Sequence, residues 1–129
     1  MIAVDTNVVV RFLVRDDAKQ AARAAELIRG NEIWVSKTVL LETEWVLRSL
    51  YRFSPQSLAE ALRALAGLER VFLEDETAVA KALEWFREGL DFADALHLAS
   101  AGNASQFATF DRKLARQASR MTTLETVSL

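Results

Sequence analysis

The chain has 129 residues, of which 51% are hydrophobic and 26% are charged, and its formal net charge is -2. This size and balance predict a single globular domain over residues 1–129, and the lack of cysteine excludes disulfides and thiolate metal sites. No apolar run approaches the roughly 20 residues that span a bilayer and no signal-peptide pattern is present, so we expect a soluble cytoplasmic protein with no membrane partner.

The first part of the chain predicts strands that alternate with pairs of helices. Ile2–Val4 is a short apolar strand that ends at the polar run Asp5-Thr6-Asn7. Asp16-Asp17 and Ser36 are helix-start signals, and Pro55 fits the first position of a helix. The predicted elements are helices 8–14, 18–29, 36–51 and 54–67, and strands 33–35 and 71–73.

The second part continues the same alternation. It predicts helices 77–88, 91–101 and 112–120 and strands 107–109 and 123–127, the last being an edge strand. Alternating strands and helices predict an α/β fold with a central, mainly parallel sheet of about five strands and helices on both faces. In such sheets ligands bind beyond the carboxyl ends of the strands.

Four acidic residues stand in apolar sequence settings. Asp5 follows Met-Ile-Ala-Val, Glu42 follows Val-Leu-Leu, Asp94 lies in Asp-Phe-Ala-Asp-Ala-Leu, and Asp111 follows Ala-Thr-Phe. Carboxylates beside a core are costly without a partner, so this pattern indicates a bound cation. With no cysteine and one histidine, oxygen ligands for Mg²⁺ or Mn²⁺ are the choice that remains.

Helical spacing separates Glu42 from Glu44, because residues two apart on a helix point to nearly opposite sides. Glu44 has Arg48 four residues later, which predicts an ordinary surface ion pair. Glu42 has no such partner and is expected in the first turn of its helix, so it is the predicted ligand.

The other acidic residues have two interpretations each. Asp5 and Asp111 are metal ligands or simple helix caps, and Asp91 and Asp94 form a capping pattern in which Asp94 is the preferred ligand. We expect His97 to be a packed or hydrogen-bonded helix residue and not an acid-base catalyst.

Polar and basic neighbours extend the predicted site. Thr6 and Asn7 can orient the carboxylate of Asp5, and Thr109 stands in the same relation to Asp111. Although the net charge is negative, basic residues near these segments can form a positive rim that would suit a phosphate backbone. They are Arg11, Arg15, Arg48, Arg52, Arg112, Lys113, Arg116 and Arg120.

Taken together, four segments resemble the PIN-domain ribonucleases, specifically the VapC-type toxins of bacterial type II toxin-antitoxin systems. They are Asp5-Thr6-Asn7 after a terminal strand, Glu42 in Val-Leu-Leu-Glu-Thr-Glu-Trp, Asp91-Phe-Ala-Asp94-Ala-Leu-His, and Thr109-Phe-Asp111. The resemblance runs over the whole chain, and it is specific because all four segments occur in this order and spacing.

The resemblance implies a three-layer α/β/α sandwich and an endoribonuclease. Asp5, Glu42, Asp94 and Asp111, with Asp91 as a further candidate, would bind Mg²⁺ or Mn²⁺, which would activate a water molecule to cleave cellular RNA and so inhibit translation. Thr6, Asn7 and Thr109 match orienting positions. The resemblance also implies a homodimer and a cognate antitoxin that binds the helices between Val8 and Leu68.

Two other functions fit parts of the pattern. A metal-dependent phosphatase or phosphoacceptor domain also places Asp at strand ends, but it would often have a second Asp just after the first strand, which Asp5-Thr6-Asn7 lacks. A noncatalytic interaction module would use the carboxylates only as helix caps.

Overall fold

Strands and helices alternate along the computed structural model, which describes residues 1–129. The chain forms two compact units, Met1–Glu76 and Thr77–Leu129. Seven helices and five short strands make up the two units, so the predicted α/β class is confirmed. None of the helices is both long and apolar enough to cross a lipid bilayer.

The first unit contains a three-stranded parallel sheet. Its strands are β1 (Ile2–Ala3), β2 (Ile33–Val35) and β3 (Val71–Leu73), in the order β1-β2-β3. Parallel neighbours need a crossover connection, and each crossover here contains two helices. These helices are α1 (Thr6–Val14), α2 (Ala18–Gly30), α3 (Lys37–Ser49) and α4 (Pro55–Ala66).

Local chemistry sets where the helices of the first unit begin. Asp5, Asp17, Ser36 and Ser54 are the N-caps of α1 to α4, and each side chain accepts a hydrogen bond from a backbone N–H three residues later. Pro55 occupies the first turn of α4, where its missing N–H costs nothing. The predicted starts of α2, α3 and α4 agree with the structure to within one residue, whereas α1 begins two residues earlier than the predicted 8–14 because Asp5 caps it.

The core of the first unit lies against β2. Ile33 and Val35 are fully buried, whereas Trp34 between them points to the other face of the sheet and is 38% exposed. Leu40 and Leu47 of α3 are also buried, and Thr43 and Glu44 lie on the same face of that helix. One face of α3 thus carries two polar residues into the interior.

The second unit contains α5 (Glu76–Arg87, which starts at the boundary), α6 (Phe92–Ala99) and α7 (Arg112–Met121). Its strands, β4 (Gln106–Thr109) and β5 (Glu125–Ser128), pair in parallel over four residue pairs. Gly89 follows α5 with φ 105°, a conformation that glycine adopts without strain. Phe86 and Phe92 meet edge to face, with their ring centroids 5.5 Å apart.

The prediction of one sheet of about five strands was wrong. Three strands pair in one sheet and two in another. The strands are two to four residues long, so each has few N–H and C=O groups with which to pair. Those of β4 bond with β5, whose residues 125–128 lie close to the predicted 123–127. Pairing of this kind depends on contacts far apart in sequence, which a local pattern does not contain.

Candidate functional site

Asp5 links the end of β1 to the start of α1. Its Oδ1 accepts a hydrogen bond from the backbone N–H of Val8 at 3.2 Å, and its Oδ2 has no partner. The residue borders a groove of about 540 Å³ whose lining also includes Asn7, Arg11 and Arg23. Asp5 is therefore a helix cap, as one interpretation held, and it still presents a free carboxylate oxygen at a groove.

Glu42 is held by Thr6 of another helix. The hydroxyl of Thr6, which is buried, donates a hydrogen bond to Oε1 of Glu42, while Oε2 remains without a partner. The bond joins the first turn of α1 to α3, so it fixes the carboxylate beside the segment that carries Asp5. Glu42 lies in the second turn of α3, which begins at Lys37.

The expectation that the four carboxylates lie against the core was wrong for three of them. Asp5, Glu42 and Asp111 are exposed, and Asp94 is half-buried. The acidic residue in the interior is Glu44, at 3% exposure. The predicted pair with Arg48 is present, with Arg48 Nε 2.8 Å from Glu44 Oε2, but it joins a buried carboxylate to a half-exposed guanidinium and is not a surface pair.

In the second unit, Asp91 and Asp94 share the first turn of α6. Asp91 is the N-cap, and its Oδ1 accepts from the backbone N–H of Asp94 at 3.2 Å. Partial burial raises the pKa of Asp94, and the negative charges of Asp91 and Asp111 raise it further, while His97 acts in the opposite direction. Asp94 is thus a partly buried carboxylate in the field of two other negative charges.

Asp111 is the N-cap of α7. Its Oδ1 accepts from the N–H of Leu114 at 3.1 Å, and its own N–H donates to the hydroxyl of Thr109 at 3.0 Å. Thr109 therefore fixes the backbone at Asp111, and its predicted role in orienting the carboxylate stays a prediction. Asn7 is exposed and its side chain makes no hydrogen bond, so its orienting role stays a prediction.

These acidic residues fit a divalent cation by their chemistry. All donors are hard carboxylate oxygens, none of them is in an ion pair, and like charges accumulate around Asp94. Within neither unit do three or more Asp, Glu or His side chains lie close enough together to hold a metal ion.

The basic residues of the predicted rim differ in whether their charge is paired. Arg11 pairs with Asp16 at 3.1 Å, Arg48 pairs with Glu44, and Arg15 stacks on Phe12 at 5.7 Å from its ring centroid. By contrast, the basic residues of α7 are exposed and make no ion pair. They are Arg112, Lys113, Arg116 and Arg120, here called the α7 row.

One exposed residue at this site was missed from the sequence. Phe110, between Thr109 and Asp111, is 82% exposed. Its exposure follows the alternation along β4, in which Phe107 and Thr109 are half-buried whereas Gln106 and Ala108 are exposed. The residue types of β4 do not show which side packs, so no clear signal was present in the sequence alone.

The family model of the PIN domain matches residues 2–119 of the chain. The chain belongs to the PIN domain family. PIN domains are generally metal-dependent nucleases that act on RNA, which places this protein among the hydrolases of that class. No curated protein matches the sequence.

Proposed function

We propose that the protein is an Mg²⁺- or Mn²⁺-dependent endoribonuclease in which Asp5, Glu42, Asp94 and Asp111 hold the metal. The observation that carries this proposal is the setting of Asp94, a half-buried carboxylate that is in no ion pair and lies within the field of two other acidic side chains, Asp91 and Asp111. Like charges at short range repel, and a divalent cation would turn that repulsion into attraction. Membership of a nuclease family supplies the reaction.

The chain's own residues orient the carboxylates in this proposal. A backbone N–H fixes one oxygen of Asp5 and one of Asp111, and the Thr6 hydroxyl fixes one oxygen of Glu42. In each case the second oxygen is left free for a ligand. The bound metal supplies Lewis acidity toward the scissile phosphate and the attacking water. Asp91 caps α6 and contributes charge.

The same proposal covers the biological role: a toxin that cleaves cellular RNA and inhibits translation, paired with an antitoxin and acting as a homodimer in the cytoplasm. Exposed apolar side chains on and after α3 support a protein partner on the first unit. Trp45 is 52% exposed and Leu50 is 66% exposed. Both lie within the segment between Val8 and Leu68, where the resemblance to VapC-type toxins places the antitoxin.

Cleavage of RNA by the purified protein tests this function. We expect the parent protein to cut isolated cellular RNA with Mg²⁺ or Mn²⁺ and to stop when the metal is chelated. Asp94→Asn should lose activity by about a hundredfold or more, because loss of even an outer-shell partner of a metal ligand costs about 10- to 100-fold. Glu26→Gln, an exposed acidic residue of α2, is the matched control and should cut normally.

Mapping new RNA 5′ ends after brief expression of both forms would identify the target. Cuts that the parent and Asp94→Asn share are background cleavage. Turnover of small phosphate esters without any RNA cleavage would contradict the nuclease and support a phosphatase.

A further inference from the structure

Phe110 lies in the connection between β4 and α7, and hydrogen bonds hold the backbone on both sides of it. The carbonyl of Thr109 accepts from the N–H of Leu129 at 2.9 Å, and the Thr109 hydroxyl accepts from the N–H of Asp111 at 3.0 Å. Asp111 is in turn fixed as the cap of α7. Residues on both sides of Phe110 are therefore held, and its aromatic ring, 82% exposed, is presented to solvent in a defined place.

The α7 row begins two residues after this ring. Helix α7 has four basic residues and no acidic residue, whereas every other helix with two or more Lys or Arg residues also contains an acidic residue. Arg112, Arg116 and Arg120 are four residues apart, so they share one face at a rise of about 6 Å per step. Because none of them is neutralised by an ion pair, the row is a linear array of free positive charge.

An exposed aromatic ring next to an array of free cations suits a single nucleic-acid strand. Bases stack on aromatic rings, and the phosphates of the strand bind Arg and Lys. A duplex keeps its bases stacked on each other, so it would leave the ring without a partner. The proximity of both features to Asp111, a proposed metal ligand, places them next to the reaction.

We propose that Phe110 stacks on a base of single-stranded RNA beside the phosphodiester that is cut, while the α7 row binds the phosphates of that strand. The choice of RNA rests on the proposed function. Phe110 would position the substrate and would take no part in bond cleavage.

Binding measured without metal separates this inference from catalysis. Fluorescence anisotropy of a labelled, unstructured RNA oligonucleotide should show weaker binding for Phe110→Ala, by about tenfold, which is within the range for loss of one stacked base. Phe110→Trp should retain affinity, whereas Phe110→Leu should lose it although it is similarly apolar. The same oligonucleotide annealed to its complement should bind the parent no better than it binds Phe110→Ala.

Charge removal on α7 gives a second, independent measurement. The logarithm of the RNA affinity falls linearly as the logarithm of the salt concentration rises, and the double variant Arg116→Gln and Arg120→Gln should make this fall less steep. The magnitude of the slope should decrease by about 1.4, which is about 0.7 for each lost phosphate contact on a single strand. Arg87→Gln, an exposed basic residue of α5 without an ion pair, should leave the slope unchanged.

The outcomes distinguish the two proposals. If the parent cuts RNA and Phe110→Ala binds it as tightly as the parent does, the inference is overturned and the nuclease stands. If binding depends on Phe110 but nothing is cut, the inference stands and the nuclease proposal fails. A change in molecular mass by light scattering for Phe110→Ala, with unchanged RNA affinity, would make Phe110 a protein contact and overturn the inference.

Discussion

Two acidic residues of this chain act as helix caps and still leave one carboxylate oxygen available for a second role. Asp5 and Asp111 cap helices with one oxygen, and the second oxygen stays free. Asp94 differs, because no hydrogen bond holds its carboxylate and its neighbours Asp91 and Asp111 repel it. The role of helix cap and the proposed role of metal ligand are therefore compatible in one residue.

Asp94 predicts a pH-dependent stability. Its pKa is raised in the folded protein, mainly by burial, so the folded state binds a proton more tightly than the unfolded state does. Without metal, stability should fall as pH rises from the ordinary Asp pKa near 4 through the raised value, because the contribution of protonated Asp94 is lost as it ionises. Asp94→Asn should therefore be more stable than the parent at pH 7 in chelator, and the difference should shrink toward pH 4 in thermal melts. A difference that grows on acidification would contradict this assignment.

Thr43 and Thr6 form a matched pair of buried hydroxyls. Oγ1 of Thr43 has no hydrogen-bond partner, whereas Oγ1 of Thr6 donates to Glu42. Thr→Val keeps the branched shape, so we expect Thr43→Val to stabilise the protein and Thr6→Val to destabilise it, each by about 1 kcal/mol. Urea denaturation measures both changes. Shifts of the same sign would show that the hydroxyl contacts are not what separates the two sites.

At the scale of the element, α3 shows that helical spacing alone does not predict which of Glu42 and Glu44 is buried. Helical geometry correctly separated Glu42 from Glu44, but it did not tell which of the two points inward. Leu40, Thr43, Glu44 and Leu47 form the buried face, which places Glu44 inside and Glu42 outside. The helix starts were predictable because the cap residues act locally, whereas the buried face is chosen by what packs against the helix.

The buried position of Glu44 makes its pair with Arg48 important to α3. Arg48→Met should leave a buried carboxylate unpaired and destabilise the protein by about 2 kcal/mol in urea denaturation. Adding Glu44→Leu should recover much of that loss, because the uncompensated charge is gone. Glu84→Gln breaks the exposed pair with Lys81 and should change stability by less than about 0.5 kcal/mol. Equal effects at the two pairs would show that burial of Glu44 is not decisive.

At the scale of the whole molecule, the order of the elements was readable and the pairing of the strands was not. Caps such as Ser36 and Ser54 signal helices from within a few residues, so the order was recovered in full. The partner of β4 is β5, and nothing in the residues of β4 specifies it. Phe110 escaped notice for a related reason, since its exposure depends on the side of β4 that packs.

Thermal stability with and without metal tests metal binding at the scale of the whole molecule, because a bound ligand stabilises the folded chain as a whole. An ion at one hundred times its Kd would add about 2.7 kcal/mol to the free energy of unfolding, which corresponds to several degrees of Tm for a chain of this size.

Asn caps a helix about as well as Asp does, so Asp→Asn removes charge and leaves the cap in place. Asp5→Asn and Asp111→Asn should therefore lose most of the gain with Mn²⁺ or Mg²⁺. Asp17→Asn, the same change at the cap of α2, should keep it. A gain that survives at Asp5 and Asp111, or disappears equally at Asp17, would reduce these residues to caps.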